Sequence, residues 1–169
     1  MTRLFAWSQR IGDALARLAQ VLLGAIVLLV SADVLMRNFG QSLVWSASFV
    51  EYLLVYVTFL PMPALVRGKA HVCADFARRA LPAPLRALVE RAVYAICVAI
   101  CLYLGAVACG SLLEAVRSGA YEIRTFDMPS WVVSLPMVIG LWLSSIEFLR
   151  YLLGLDSLYD GDPAQVEGF

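Results

Sequence analysis

The chain has 169 residues, of which 62% are hydrophobic and only 15% charged, and its mean hydropathy is +0.80. A soluble domain of this size cannot hide so much apolar surface, so the composition excludes that class and indicates an integral membrane protein. Thirteen basic residues balance thirteen acidic ones, and no basic tract is interleaved with aromatics, so nucleic acid is not an expected partner.

Charge is missing from residues 18–32, 52–66, 92–113 and 128–146. Crossing a hydrocarbon core of about 30 Å takes about 20 helical residues. The last two segments are long enough as they stand, and the first two become so when extended through Asp33 and back through Glu51 to Trp45. The expectation is a single all-α membrane domain of four transmembrane helices, at about 14–36, 45–66, 88–116 and 128–150, with a loop at 67–87 and an acidic tail at 151–169. A strand reading fails because none of these segments alternates apolar with polar residues, and four strands could not close a barrel.

Before the first span, Arg3, Arg10 and Arg17 recur every seven residues beside Leu4, Ile11 and Leu18. This predicts an N-terminal amphipathic segment, either lying on the inner leaflet before turning into the span or solvated with its arginines setting topology. Val30, Ser31 and Ala32 resemble a signal-cleavage site. The charged lead of 17 residues and the apolar run of 15 fit a signal poorly, so the segment is read as a retained span. It closes with Asp33 and Arg37 one turn apart, spaced for a helix-end ion pair.

Trp45 opens the second span as an interface anchor. Glu51, six residues on and therefore about 9 Å deeper, needs a partner within the protein. Arg37 is a candidate because the loop at 38–44 is short; structural pairing is the expectation, a direct substrate or ion role the alternative. Pro61 and Pro63 remove two backbone donors and should bend the helix there.

In the following loop, a short interfacial helix is expected to end near Leu81, and Pro84 suits the first turn of the next helix. From there nothing breaks the helix before Ser118 and Gly119, about 35 residues or about 50 Å, so the third helix should protrude beyond the bilayer. Trp131 anchors the start of the fourth. Ala95, Ala99, Ala106 and Gly110, and then Pro136, Gly140 and Ser144, mark places of close helix approach. Glu114 with Arg117, and Glu147 with Arg150, read as snorkelling pairs at helix ends.

Ten of the thirteen Lys and Arg residues fall in the N-terminal segment, the central loop and the C-terminal tail, leaving only Arg37, Arg117 and Arg124 opposite. The positive-inside rule then places both termini and the central loop in the cytoplasm.

Chemistry is sparse. One histidine, His71, cannot supply the paired ligands of a b-type haem or a zinc cluster. Cys73 lies in a reducing compartment, while Cys97, Cys101 and Cys109 lack a C-x-x-C spacing and read as small apolar residues. Neither a Walker A sequence nor G-x-G-x-x-G occurs. No cofactor, metal or enzymatic activity is therefore expected. The acids form no row through the bilayer, and no inverted repeat is evident, which argues against a self-sufficient carrier.

The most telling stretch is Glu51, Tyr52, Leu53, Leu54, Val55, Tyr56, Thr58, Phe59 and Leu60, followed by Ala64, Arg67, Gly68, His71, Val72 and Asp75. With Pro129, Trp131, Pro136 and Gly140 in the last span and Asp33 with Arg37 in the first, it resembles the small membrane subunit of tripartite ATP-independent periplasmic (TRAP) transporters, the DctQ-like family. The chain departs from that pattern at Ala47 and Ser48, where many members carry adjacent acids, and at Pro61, Met62 and Pro63, where glycine and alanine are common. The resemblance implies a bacterial inner-membrane symport system importing an organic acid. In it a large permease holds the substrate and ion sites, a periplasmic solute-binding protein delivers substrate, and the small subunit acts as a membrane scaffold among lipids.

On that implication, Asp33, Arg37, Glu51, Arg67, His71 and Asp75 serve structure or contact with the large subunit. The outer loop bearing Arg117, Tyr121, Glu122, Arg124 and Asp127 is a mixed-sign surface suited to docking the binding protein, or else an ordinary solvated loop. Rival readings are a free-standing, self-associating small transporter or channel, and a haem-bearing membrane anchor.

Overall fold

A computed structural model describes residues 2–68, 82–125 and 127–154. Its elements are α1 (Thr2–Asn38), α2 (Ser46–Phe59), α3 (Met62–Arg67), α4 (Ala83–Ser118), β1 (Tyr121–Glu122), β2 (Met128–Pro129) and α5 (Ser130–Leu152). Taking α2 and α3 as one interrupted crossing, four helices are long and apolar enough to span a membrane.

α1 is a single helix of 37 residues, about 55 Å at 1.5 Å per residue. The basic N-terminal stretch therefore does not turn along a leaflet: it continues the span. No proline interrupts it, and Gly12 faces Pro63 and Ala64 across a close contact with α3. α4 has 36 residues and ends where Gly119 takes up a left-handed conformation (φ +60°), which favours glycine. The expected interfacial helix near Leu81 lies outside the described residues.

The second crossing breaks between α2 and α3, where Pro61 and Pro63 stand. Pro63 cannot donate to the carbonyl of Phe59, and that carbonyl is pressed against α5 at Gly140. A Cβ at position 140 would lie 2.3 Å from the Phe59 oxygen, so only glycine admits the approach. Pro136, inside α5, likewise frees the carbonyl of Val132. The Tyr56 hydroxyl donates to that carbonyl at 2.7 Å, so a neighbouring helix restores what the proline removed.

α5 is the hub. It packs along α4 on one side and against α2, α3 and the start of α1 on the other, while α1 packs on α2 and α3. Of its span 39% is buried, against 17% for the first crossing and 22% for the second and third. The helices thus form an open array with α1 and α4 at its margins. The compact core is small: Val66, Tyr94, Cys101, Phe148 and Tyr151, flanked by Met62, Cys97, Val98 and Leu152.

Candidate functional site

The polar side chains gather at two ends of the array. At the loop end, where α1 passes to α2 and α4 to α5, Asp33 is buried near the end of α1. Its Oδ2 accepts from Arg37 Nη2 at 2.8 Å and its Oδ1 accepts from the Leu43 backbone N–H at 2.8 Å. One carboxylate therefore holds its own helix turn and folds the 39–45 loop back over it. Gly40 (φ +78°) makes the tight turn, and Trp45, at the cap of α2, meets Phe49 edge to face at 6.0 Å.

Glu51 does not pair with Arg37. Its partner is Arg124, from the loop between β1 and β2, and both side chains remain about half exposed. The reason is directional: Arg37 is already committed to Asp33, while the β hairpin carries Arg124 across to α2. In that hairpin Tyr121 stands opposite Pro129 and Glu122 opposite Met128, the Ser130 N–H donates to the Ala120 carbonyl at 3.0 Å, and Arg124 N–H donates to Asp127 Oδ1 at 3.1 Å. Tyr121, Glu122, Arg124 and Asp127 thus sit on one small loop tied to the second crossing. Arg117 and Glu114 are exposed on α4 and make no ion pair with each other among the described residues. Ile123, 91% exposed beside these groups, adds an apolar side chain that charge-based reading passed over. Trp131 lines a shallow groove behind the hairpin with Val116, Tyr121 and Pro129.

The opposite end, the tail end, joins the start of α1 to the ends of α3 and α5. Arg67 pairs with Asp13 and donates to the Gln9 carbonyl at 3.1 Å. The Tyr151 hydroxyl donates to the carbonyls of Val66 (3.1 Å) and Arg67 (3.2 Å) in the last turn of α3. His71 and Asp75 lie outside the described residues.

The residue that the sequence reading misplaced is Glu147. It is not a snorkelling partner of Arg150 but a fully buried side chain, 1% exposed. Its Oε1 accepts from the Ser8 hydroxyl at 2.6 Å, whereas Oε2 and the neighbouring Ser144 Oγ have no hydrogen-bond partner among the described residues. A signal was present. Pro136, Gly140, Ser144, Glu147 and Tyr151 recur at steps of three and four, so the stripe of small residues that marks α5's packed face runs directly into the carboxylate.

Among the described residues no cluster of three or more potential metal ligands occurs. Comparison with curated proteins gives no match. Comparison with protein families matches the DctQ component of tripartite ATP-independent periplasmic transporters over residues 26–156. That match takes in the Asp33 lock, the broken second crossing, the hairpin and Glu147, leaving Ser8 and Asp13 before its start. Four membrane-spanning helices and a match over more than three quarters of its length make the chain a member of the DctQ family, the small membrane component of TRAP transporters.

Proposed function

We propose that the chain scaffolds the large permease subunit in a bacterial inner membrane, with both termini cytoplasmic, and helps dock the periplasmic binding protein for ion-gradient-driven import of an organic acid. The observation that carries this reading is where the charged groups sit. Asp33, Glu51, Arg67 and Glu147 are each engaged by their own chain at one or other end, and the middle of every span is free of charge. Such spans suit packing between apolar surfaces rather than carrying an ion. In the proposed orientation the loop end faces the periplasm, and the hairpin with Glu122, Arg124 and Ile123 meets the binding protein.

Purification in mild detergent tests the scaffold: a large multi-span protein is expected to accompany the chain, and liposomes holding this chain alone should take up no labelled organic acid. Uptake by the chain alone overturns the proposal. For docking, charge reversal at Glu122 is expected to weaken stimulation of transport by the binding protein while assembly with the permease is retained. Unchanged stimulation removes the hairpin from that role.

A further inference from the structure

α4 carries two stripes at steps of three and four residues. One, including Tyr94, Cys101, Gly105 and Ala115, is buried and belongs to the side that packs on α5. The other, Val93, Ile96, Ile100, Tyr103, Val107 and Gly110, lies on the opposite side of the helix and is exposed along its length, from 38% at Val93 to 70% at Tyr103. A repeat of this spacing is the seam along which a second helix packs knobs into holes. Nothing lies within 4 Å of a Cβ built at Gly110, so the seam is open there for close backbone approach.

Exposure to lipid would account for the aliphatic members of this stripe, but not for Tyr103. Arg91 and Glu114 bracket the uncharged stretch of α4, and Tyr103 stands twelve residues from one and eleven from the other, about 18 Å and about 16 Å along the axis. Tyrosines of membrane proteins collect at the interfaces, where the hydroxyl reaches water. At the centre of a span a tyrosine side chain is too short to reach either surface, and an unpaired hydroxyl in hydrocarbon is costly. Two other tyrosine hydroxyls of the crossings find acceptors within the chain: Tyr56 bonds the Val132 carbonyl and Tyr151 the carbonyls of Val66 and Arg67. Among the described residues Tyr103 makes no such bond. The exposed centre of α1, by comparison, presents Val27 and Leu28, which carry no polar atom.

We infer that the Tyr103 face of α4 is a helix-docking surface for the large permease subunit, and that a transmembrane helix of that subunit sets a hydrogen-bond acceptor opposite the Tyr103 hydroxyl. The inference rests on the scaffold reading above and specifies its contact. A second copy of this chain is a poorer occupant, because two Tyr103 hydroxyls meeting across a two-fold axis leave one proton without an acceptor.

The experiment uses the full chain co-expressed with the large permease subunit of its own transporter. A photo-crosslinking amino acid, p-benzoylphenylalanine, is placed at Ile100 or Val107, and at Leu28 of α1 for comparison. Crosslinks to the permease are expected from positions 100 and 107 and not from 28. Tyr103→Phe, which keeps the ring, should reduce the permease retained in mild detergent by about three- to tenfold, the range of one interhelical hydrogen bond in a membrane. Crosslinks to the permease from position 28 alone overturn the docking face while leaving the scaffold reading intact. Crosslinks only between copies of this chain, or co-purification without any crosslink from α4, also overturn it. Failure of the permease to co-purify with the unmodified chain defeats the scaffold reading itself and this inference with it.

Discussion

The two ends of the helical array hold carboxylates in opposite ways. At the loop end Glu51 meets a full positive charge, Arg124, with both side chains about half open to solvent. At the tail end Glu147 is 1% exposed and meets only the Ser8 hydroxyl, with its second oxygen unpaired among the described residues. Spacing from the nearest helix end does not separate them, since Glu51 lies five residues from the start of α2 and Glu147 five from the end of α5. Depth along a helix says how far a group is from water only when the face it occupies looks outward. Glu147 is on the packed face of the hub helix, so position around the axis overrides position along it.

The largest test of this contrast is to put a positive charge in each place. Glu147→Lys should destabilise the folded chain by about 3–5 kcal/mol, the order found when a buried charge is left without a compensating partner. Glu51→Lys should cost less than about 1 kcal/mol, as exposed pairs do. Thermal unfolding in one detergent measures both, and equal losses would abolish the distinction between the ends.

A smaller effect is expected between the ends, where α2 and α5 touch. Gly140→Ala should cost about 1–3 kcal/mol, because the added methyl meets the Phe59 backbone carbonyl and not a side chain that can swing aside. A neutral result in the same unfolding assay would mean that the broken crossing yields there and transmits little between the two ends.

Asp33→Ala should follow, at about 1.5–3 kcal/mol for its charge-assisted bonds before the adjoining loop relaxes, with a net loss of stability at the lower end of that range. Its specific sign is local: the Leu43 amide should lose hydrogen-exchange protection while amides at the tail end keep theirs. Loss of protection at both ends would show that they behave as a single unit.

The smallest effect is at the hairpin. Arg124→Ala should change stability by about 0.2–1 kcal/mol, and the exchanged pair Glu51→Arg with Arg124→Glu should recover most of that change in a double-mutant cycle. Without recovery, the hairpin is held by its strand pairing and the Tyr56 bond to Val132 instead of by the ion pair.

Much of the architecture was legible beforehand, and particular residues show why. The uncharged stretches marked the four crossings because hydrocarbon tolerates few charges over a length that must reach about 30 Å. Pro61 and Pro63 marked the break between α2 and α3, and Gly119 the end of α4, because these residues act on their own backbone. The family was recognisable in the ordered residues around Glu51, Arg67 and Trp131. The partners of polar groups were not legible in the same way. Arg124 is 73 residues from Glu51, and Ser8 is 139 from Glu147.

By itself, then, the sequence determined what the bilayer and the local backbone impose: a membrane protein, four crossings, their breaks and stops, and a span interior without charge. Only the tertiary structure decided which face of each helix is covered. That choice made Glu147 a buried group, gave Glu51 to Arg124, and left Tyr103 pointing away from the array. The physical reason is that hydrophobic length is a property of consecutive residues, whereas burial and hydrogen bonding depend on which helices lie side by side.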